Sequence, residues 1–148
     1  MGASWKFRVR WADLDPNRHL RNTAFVDYAT ETRLAYLASV GFTDDVLRDR
    51  RLGPVILREE TWFTREVLAG DVLEVDIALA ALSADGGRFR LRHEVFRADG
   101  EKAARVEADA GWLDLAARRL VRPPADLLAV MNGFPRTDDF ESLPDLNR

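Results

Sequence analysis

Apolar and polar positions alternate at the start of the chain. Trp5, Phe7, Val9 and Trp11 are interleaved with Lys6, Arg8 and Arg10, the two-residue period of a strand with one buried face. From Ala12 to Asn22 the pattern dissolves into two aspartates, Pro16, Asn17 and His19, a loop by composition. It resumes with a longer period. Phe25, Tyr28, Ala29, Thr32, Ala35, Tyr36 and Val40 recur at three- and four-residue steps and predict a helix over 23–40, with Asn22 or Thr23 as cap and Gly41 as stop. Leu34 and Leu37 widen its apolar surface, so the helix is expected to be mostly enclosed, and Asp27, Glu31 and Arg33 each to need a partner or a water channel. A short helical turn is expected over 43–50.

Beyond Gly53 the segments 54–66, 71–84, 88–98 and 101–115 are rich in Val, Ile, Leu, Trp and Phe. Ala69-Gly70-Asp71, Asp85-Gly86-Gly87 and Asp99-Gly100 separate them as turn signals. This predicts an antiparallel meander of four long strands. Pro123-Pro124 starts a short helix over 125–131. Residues 1–134 are expected to form one domain, and 135–148, polar with two prolines, a loosely held tail. Strands grouped apart from a single long helix indicate an α+β fold, with about five strands curved around that helix. The exposed face and open edge of such a sheet favour a homo-oligomer.

Composition narrows the chemistry. With 148 residues one domain is expected. The net charge of -3 argues against a general nucleic-acid binder. No cysteine is present, which removes thiolate nucleophiles, disulfides and cysteine metal sites, and two histidines leave little for a histidine-rich metal site. No apolar run is long enough to span a membrane, and residues 1–10 lack the apolar core of a signal peptide, so a cytoplasmic location is the default expectation.

The loop before the helix carries the candidate chemistry. A helix N-terminus offers unpaired N–H groups and a partial positive charge, suited to a developing oxyanion. A carboxylate just upstream could then act on a carbonyl polarised by those groups. The competing reading is that Asp13 and Asp15 only shape turns, as aspartate before proline often does.

The same segment resembles the opening motif of the 4-hydroxybenzoyl-CoA thioesterase-like family of the hot-dog fold. The residues that carry the resemblance are Asp13-x-Asp15, Pro16-Asn17, His19-Leu20, Asn22, Phe25, Glu31 and Arg33, joined later by Gly53-Pro54, Gly70-Asp71, Asp99-Gly100 and Trp112-Leu113-Asp114. The resemblance covers about residues 6–131. It implies an acyl-CoA thioesterase that needs no cofactor beyond the coenzyme A of its substrate and no metal, and that works as a dimer or tetramer. It implies Asp15 as catalytic carboxylate (base or nucleophile), an oxyanion donor at the backbone N–H of about Asn22, and His19 as a loop-shaping residue at the site. Arg18 stands where the family has glycine, which puts the loop conformation in question because glycine reaches positive φ. Arg21 replaces an asparagine and is either an outward surface residue or a charge for an anionic substrate.

Other candidates keep two readings. Glu31 is a helix carboxylate at the substrate or a partner for Arg33. Arg88, Arg90 and Arg92 are contacts for the coenzyme A phosphates or a solvated strand face. Trp62, Phe63 and Trp112 read as core or subunit-interface residues rather than an acyl pocket, and His93 as a packed residue rather than a catalyst. Rival functions are a non-catalytic binder of acyl thioesters and an enoyl-CoA hydratase using Asp15 with His19.

Overall fold

The computed structural model describes residues 2–146. β1 (Ala3–Arg8) leads through a 3-10 turn (Trp11–Asp13) and the polar loop to α1 (Ala24–Ser39) and α2 (Asp44–Asp49). Then follow β2 (Leu52–Phe63), β3 (Val72–Ser83), β4 (Phe89–Phe96), β5 (Lys102–Asp114), β6 (Arg119–Val121), α3 (Ala125–Asn132) and β7 (Arg136–Leu143). The fold is α+β: one seven-stranded sheet, antiparallel except where β7 joins it, with few helices.

The main sheet order is β1-β3-β4-β5-β2. The expected four-strand meander therefore holds only for β3-β4-β5. β2 pairs with β5 rather than β3 and forms an edge. The reason lies in the links. Tight turns around Gly86 and Gly100, both at positive φ, return the chain beside the strand it has just left. The longer 64–71 link carries it across to the far side of the sheet instead.

Two further expectations are corrected. The sheet has seven strands rather than about five. Residues 135–148 are not a loose tail over their described part: β7 runs parallel to β3, on the stretch of its edge that β1 leaves free. Arg90 to Glu141 (2.8 Å) and Arg92 to Asp139 (2.9 Å) hold β7 by charge, which compensates for its few apolar residues. Positions 147–148 of that expected tail lie outside the described residues.

α1 lies against β1, β3 and β5 and contributes to both clusters of buried side chains, Leu37 to one and Ala24, Phe25, Tyr28 and Ala29 to the other. Trp5 meets Tyr36 edge-on, and Phe7 packs on Tyr28. The initial alternation ends early: Val9 is buried, but Trp11 is 75% exposed because the chain has already turned. Nor is α1 mostly enclosed. Glu31, Leu34 and Ala38 form an open stripe. On β4 the inward Phe89, Leu91, His93 and Val95 are buried, while Arg90, Arg92 and Glu94 face away from α1. There they join a ladder of ion pairs with Asp109, Glu107 and Arg105 of β5.

Candidate active site

The loop between β1 and α1 is built around two aspartates with different surroundings. Asp13 is 3% exposed. Its carboxylate accepts from Arg10 Nε and Nη2, each at 2.9 Å, from Arg21 Nη1 at 2.9 Å, and from the Tyr28 hydroxyl at 2.9 Å. The Arg10 hydrogen bonds hold the carboxyl far below the ordinary carboxylate range, against the opposing effect of burial. The Tyr28 phenol is pushed up to about 12, by burial first and by its hydrogen bond to Asp13 second.

Arg21 is committed to the same network. Besides Asp13 it donates to the Ala12 carbonyl and the Thr23 hydroxyl, and it lies 3.6 Å from Asp27. It is neither an outward surface arginine nor a free charge for a substrate. Thr23, at the N-cap position of α1, has helical backbone angles (φ -73°, ψ -17°) and makes no capping bond through its side chain.

Asp15 is half-buried. Its Oδ1 accepts from the backbone N–H of Asn17 (2.8 Å) and of His19 (3.1 Å). Its own N–H donates to the His19 carbonyl (2.8 Å), and the Arg18 N–H donates to the Asp15 carbonyl (3.0 Å). This closed turn requires a left-handed residue, and Arg18 supplies it at φ 65°. The loop conformation thus survives the replacement of glycine, at the cost of backbone strain. Oδ2 of Asp15 takes no part in these turn bonds.

Asp15 lines an open cleft of about 360 Å³ together with His19, Asn22, Phe25, Phe63 and Glu66. Of the five residues expected to join Asp15 at the site, two share its cleft, His19 and Asn22. The N–H groups of Asn22 and Thr23 donate to no backbone carbonyl among the described residues, as expected for the first turn of a helix. His19 Nε2 is 2.9 Å from Glu66 Oε2, and the His19 backbone bridges to Leu68, so the loop is tied to the β2–β3 link.

Other expected residues lie elsewhere. Glu31 is exposed on the open stripe of α1, outside this cleft, and forms no ion pair with Arg33. Arg88 precedes β4, and Arg90 is paired with Asp109 and Glu141 on the sheet face away from α1. This chain does not bring them to Asp15. Phe63, read as core or interface, packs edge-on against Phe25 at the cleft and is 51% exposed. Trp62 is 45% exposed, and Trp112 is in the core.

Of two further residues of interest, Glu66 carried no local signal and Arg33 signalled only a need for a partner. Glu66 reaches the cleft only because the 64–71 link passes over the loop. Arg33 is 8% exposed, reaches Glu59 at 3.5 Å and contacts the wholly buried His93 at 3.3 Å. Burial, then the neighbouring Arg33 charge, pushes His93 down to about 3.

Residues 9–131 match the family model of the thioesterase-like superfamily. The chain belongs to that superfamily. Membership places it among thioester hydrolases. None of the curated proteins matches it. Among solved structures it is similar to a hypothetical protein from Aquifex aeolicus, at 24% identity and TM-score 0.80, covering 87% of this chain and 98% of that one. A 1,4-dihydroxy-2-naphthoyl-CoA thioesterase from Synechocystis aligns at 18% identity and TM-score 0.77, over 87% and 94% of the two chains. A hypothetical protein from Staphylococcus aureus, solved in complex with CoA, aligns at 18% and TM-score 0.82, over 100% and 93%. These likenesses establish the hot-dog fold of the thioesterases. No helix is long and apolar enough to cross a membrane among the described residues.

Proposed function

We propose that the protein hydrolyses an acyl-CoA to the free acid and coenzyme A, with Asp15 as the catalytic carboxylate and the N–H of Asn22 as oxyanion donor. The observation that carries this reading is the shared cleft. A carboxylate fixed by two backbone N–H groups, with a second oxygen left over, stands beside the unpaired amides that open α1. Asp15 delivers the attacking oxygen, its own or that of a water it deprotonates. The carbonyl oxygen gains negative charge towards the helix N-terminus, the C–S bond breaks, and coenzyme A leaves as a thiolate that takes up a proton. Water supplies the second oxygen of the acid. A thiolate is a good leaving group, so a full nucleophile triad is unnecessary. That a similarly folded protein was solved with CoA supports the choice of thioester.

His19 shapes the turn and, through Glu66, closes one side of the cleft. For the phosphates of coenzyme A, Arg65 at the cleft is better placed than Arg88 or Arg90. The working unit is a homo-oligomer joined along β2, an edge strand that leaves Ile56, Leu57, Trp62 and Phe63 exposed. Because Phe63 also lines the cleft, a second copy there would border the site.

The test is hydrolysis of an acyl-CoA panel by wild type and by Asp15→Asn. Asparagine keeps an oxygen for the two backbone N–H groups but loses the basic carboxylate. We expect a drop of about a hundredfold or more in kcat. Equal rates would remove Asp15 from the chemistry, and thioesters bound but never converted would make the protein a binder.

A further inference from the structure

Between α1 and the sheet lies a cavity of about 240 Å³ that the chemistry at Asp15 does not use. Its walls include Leu37 of α1, Ile56 of β2, Phe89 of β4 and Trp112 of β5, and they are apolar almost throughout. Thr30 and Arg33 of α1 are the exceptions. A guanidinium in such a wall gives up hydration that hydrocarbon cannot replace, so its presence calls for polar partners.

The partners present hold Arg33 in place without using it up. Nη2 donates to the Thr30 hydroxyl at 2.9 Å and reaches Glu59 at 3.5 Å. Nη1 donates to His93 Nε2 at 3.3 Å. His93 accepts there because its Nδ1–H donates to the Asp76 carbonyl at 2.8 Å, which fixes the tautomer. Three of the five N–H donors of a guanidinium thus have partners, two of them long, and its one carboxylate is at the limit of hydrogen-bond reach.

Resting on the thioesterase reading, we propose that this cavity receives the far end of the acyl group, and that Arg33 binds an oxygen carried there. The substrate class is an acyl thioester of about dodecanoyl length with a terminal oxygen function, a hydroxyl or a carboxylate. Length follows from placement. Arg33 lies three turns along α1 from Asn22, about 16 Å by helical rise, so a group as short as benzoyl held at Asp15 falls short of it. The aromatic pair Phe25–Phe63 lines the Asp15 cleft, where such a chain would begin. The apolar walls suit methylenes. The guanidinium can only donate, so the atom it meets must be an acceptor.

The test compares kcat/KM for dodecanoyl-CoA with that for its ω-hydroxy and ω-carboxy counterparts, in wild type, Arg33→Met and Thr30→Val. A site built to hydrogen-bond an oxygen discriminates strongly against a substrate lacking it. Wild type should prefer one of the oxygenated thioesters by about tenfold or more. The preferred member tells whether Glu59 leaves room for a second negative charge. Arg33→Met should bring the ratio towards one. Thr30→Val, which removes one anchor and spares the charge, should lower it part-way and serves if Arg33→Met does not fold. Equal kcat/KM for plain and oxygenated chains in wild type would overturn the proposal, as would a preference that survives in folded Arg33→Met. A parallel arm reads melting temperature with dodecane and 1-dodecanol, neither of which carries a carboxylate. If no thioester is hydrolysed, the thioesterase reading fails, but a larger shift with the alcohol that Arg33→Met loses still upholds the pocket. Equal shifts would overturn the proposal.

Discussion

Two aspartates two residues apart occupy opposite surroundings. Asp13 is sealed in, and both its oxygens are taken by cationic or phenolic donors. Asp15 stands at an open cleft, and the bonds that fix it come from backbone N–H groups to a single oxygen. A carboxylate surrounded by guanidinium groups is stabilised as an anion and loses basicity, so Asp13 makes a clamp and a poor base. One held by neutral amides at one oxygen keeps the other for chemistry. The clamp fixes Arg10, Arg21 and Tyr28, and with them the path of the chain from β1 into α1. The cleft depends on that path.

The contrast breaks most sharply if the roles are exchanged by mutation. Asp15→Asn is expected to cost about a hundredfold or more in turnover with an unchanged melting temperature, read by acyl-CoA hydrolysis and thermal denaturation. Asp13→Ala should do the reverse in kind. It leaves Arg21 and Tyr28 without their acceptor and should lower stability by about 2 to 3 kcal/mol, measured by urea unfolding. A large loss of activity in Asp13→Ala at full stability would contradict the division of labour.

Acid sharpens the same comparison. The folded-state pKa of Asp13 is depressed, so its contribution is fully present above the unfolded carboxylate value of about 3.9 and is lost as pH falls below it. Wild type should therefore lose stability more steeply below about pH 4 than Asp13→Asn, in unfolding curves taken across that range. A smaller effect is expected at Arg18. Glycine there relieves the left-handed strain, worth about 1 kcal/mol, and should raise the melting temperature while leaving turnover in place. The smallest concerns β7. Glu141→Gln breaks an exposed pair with Arg90 and should cost less than about 1 kcal/mol, reduced further by salt, with faster amide exchange confined to residues 136–143.

Much of this architecture was legible along the chain. The period of α1 gave its extent to within a residue at each end, because one face of that helix meets apolar strands throughout. The strands β3, β4 and β5 were legible because tight glycine turns join them. The loop motif led to Asp15, His19 and Asn22, which do share a cleft. Trp11 misled because alternation says nothing about where a strand stops. β7 was missed because its own apolar residues are few and what it meets, the edge of β3 and the arginines of β4, is distant in sequence. Asp13 looked like a turn residue because its partners Arg10, Arg21 and Tyr28 come from a strand end, a loop and a helix.

The sequence by itself determined the class of fold, the position of the long helix and the loop where chemistry is expected, since each follows from local period and turn chemistry. Tertiary structure alone decided that β2 crosses to the far edge, that Asp13 is a clamp, that Arg90 turns away from the cleft, and that Arg33 stands in an apolar wall. Those outcomes depend on which distant segments meet. A side chain's charge, burial and usefulness are set by its neighbours in space, and neighbours separated by tens of residues leave no periodic trace in the chain.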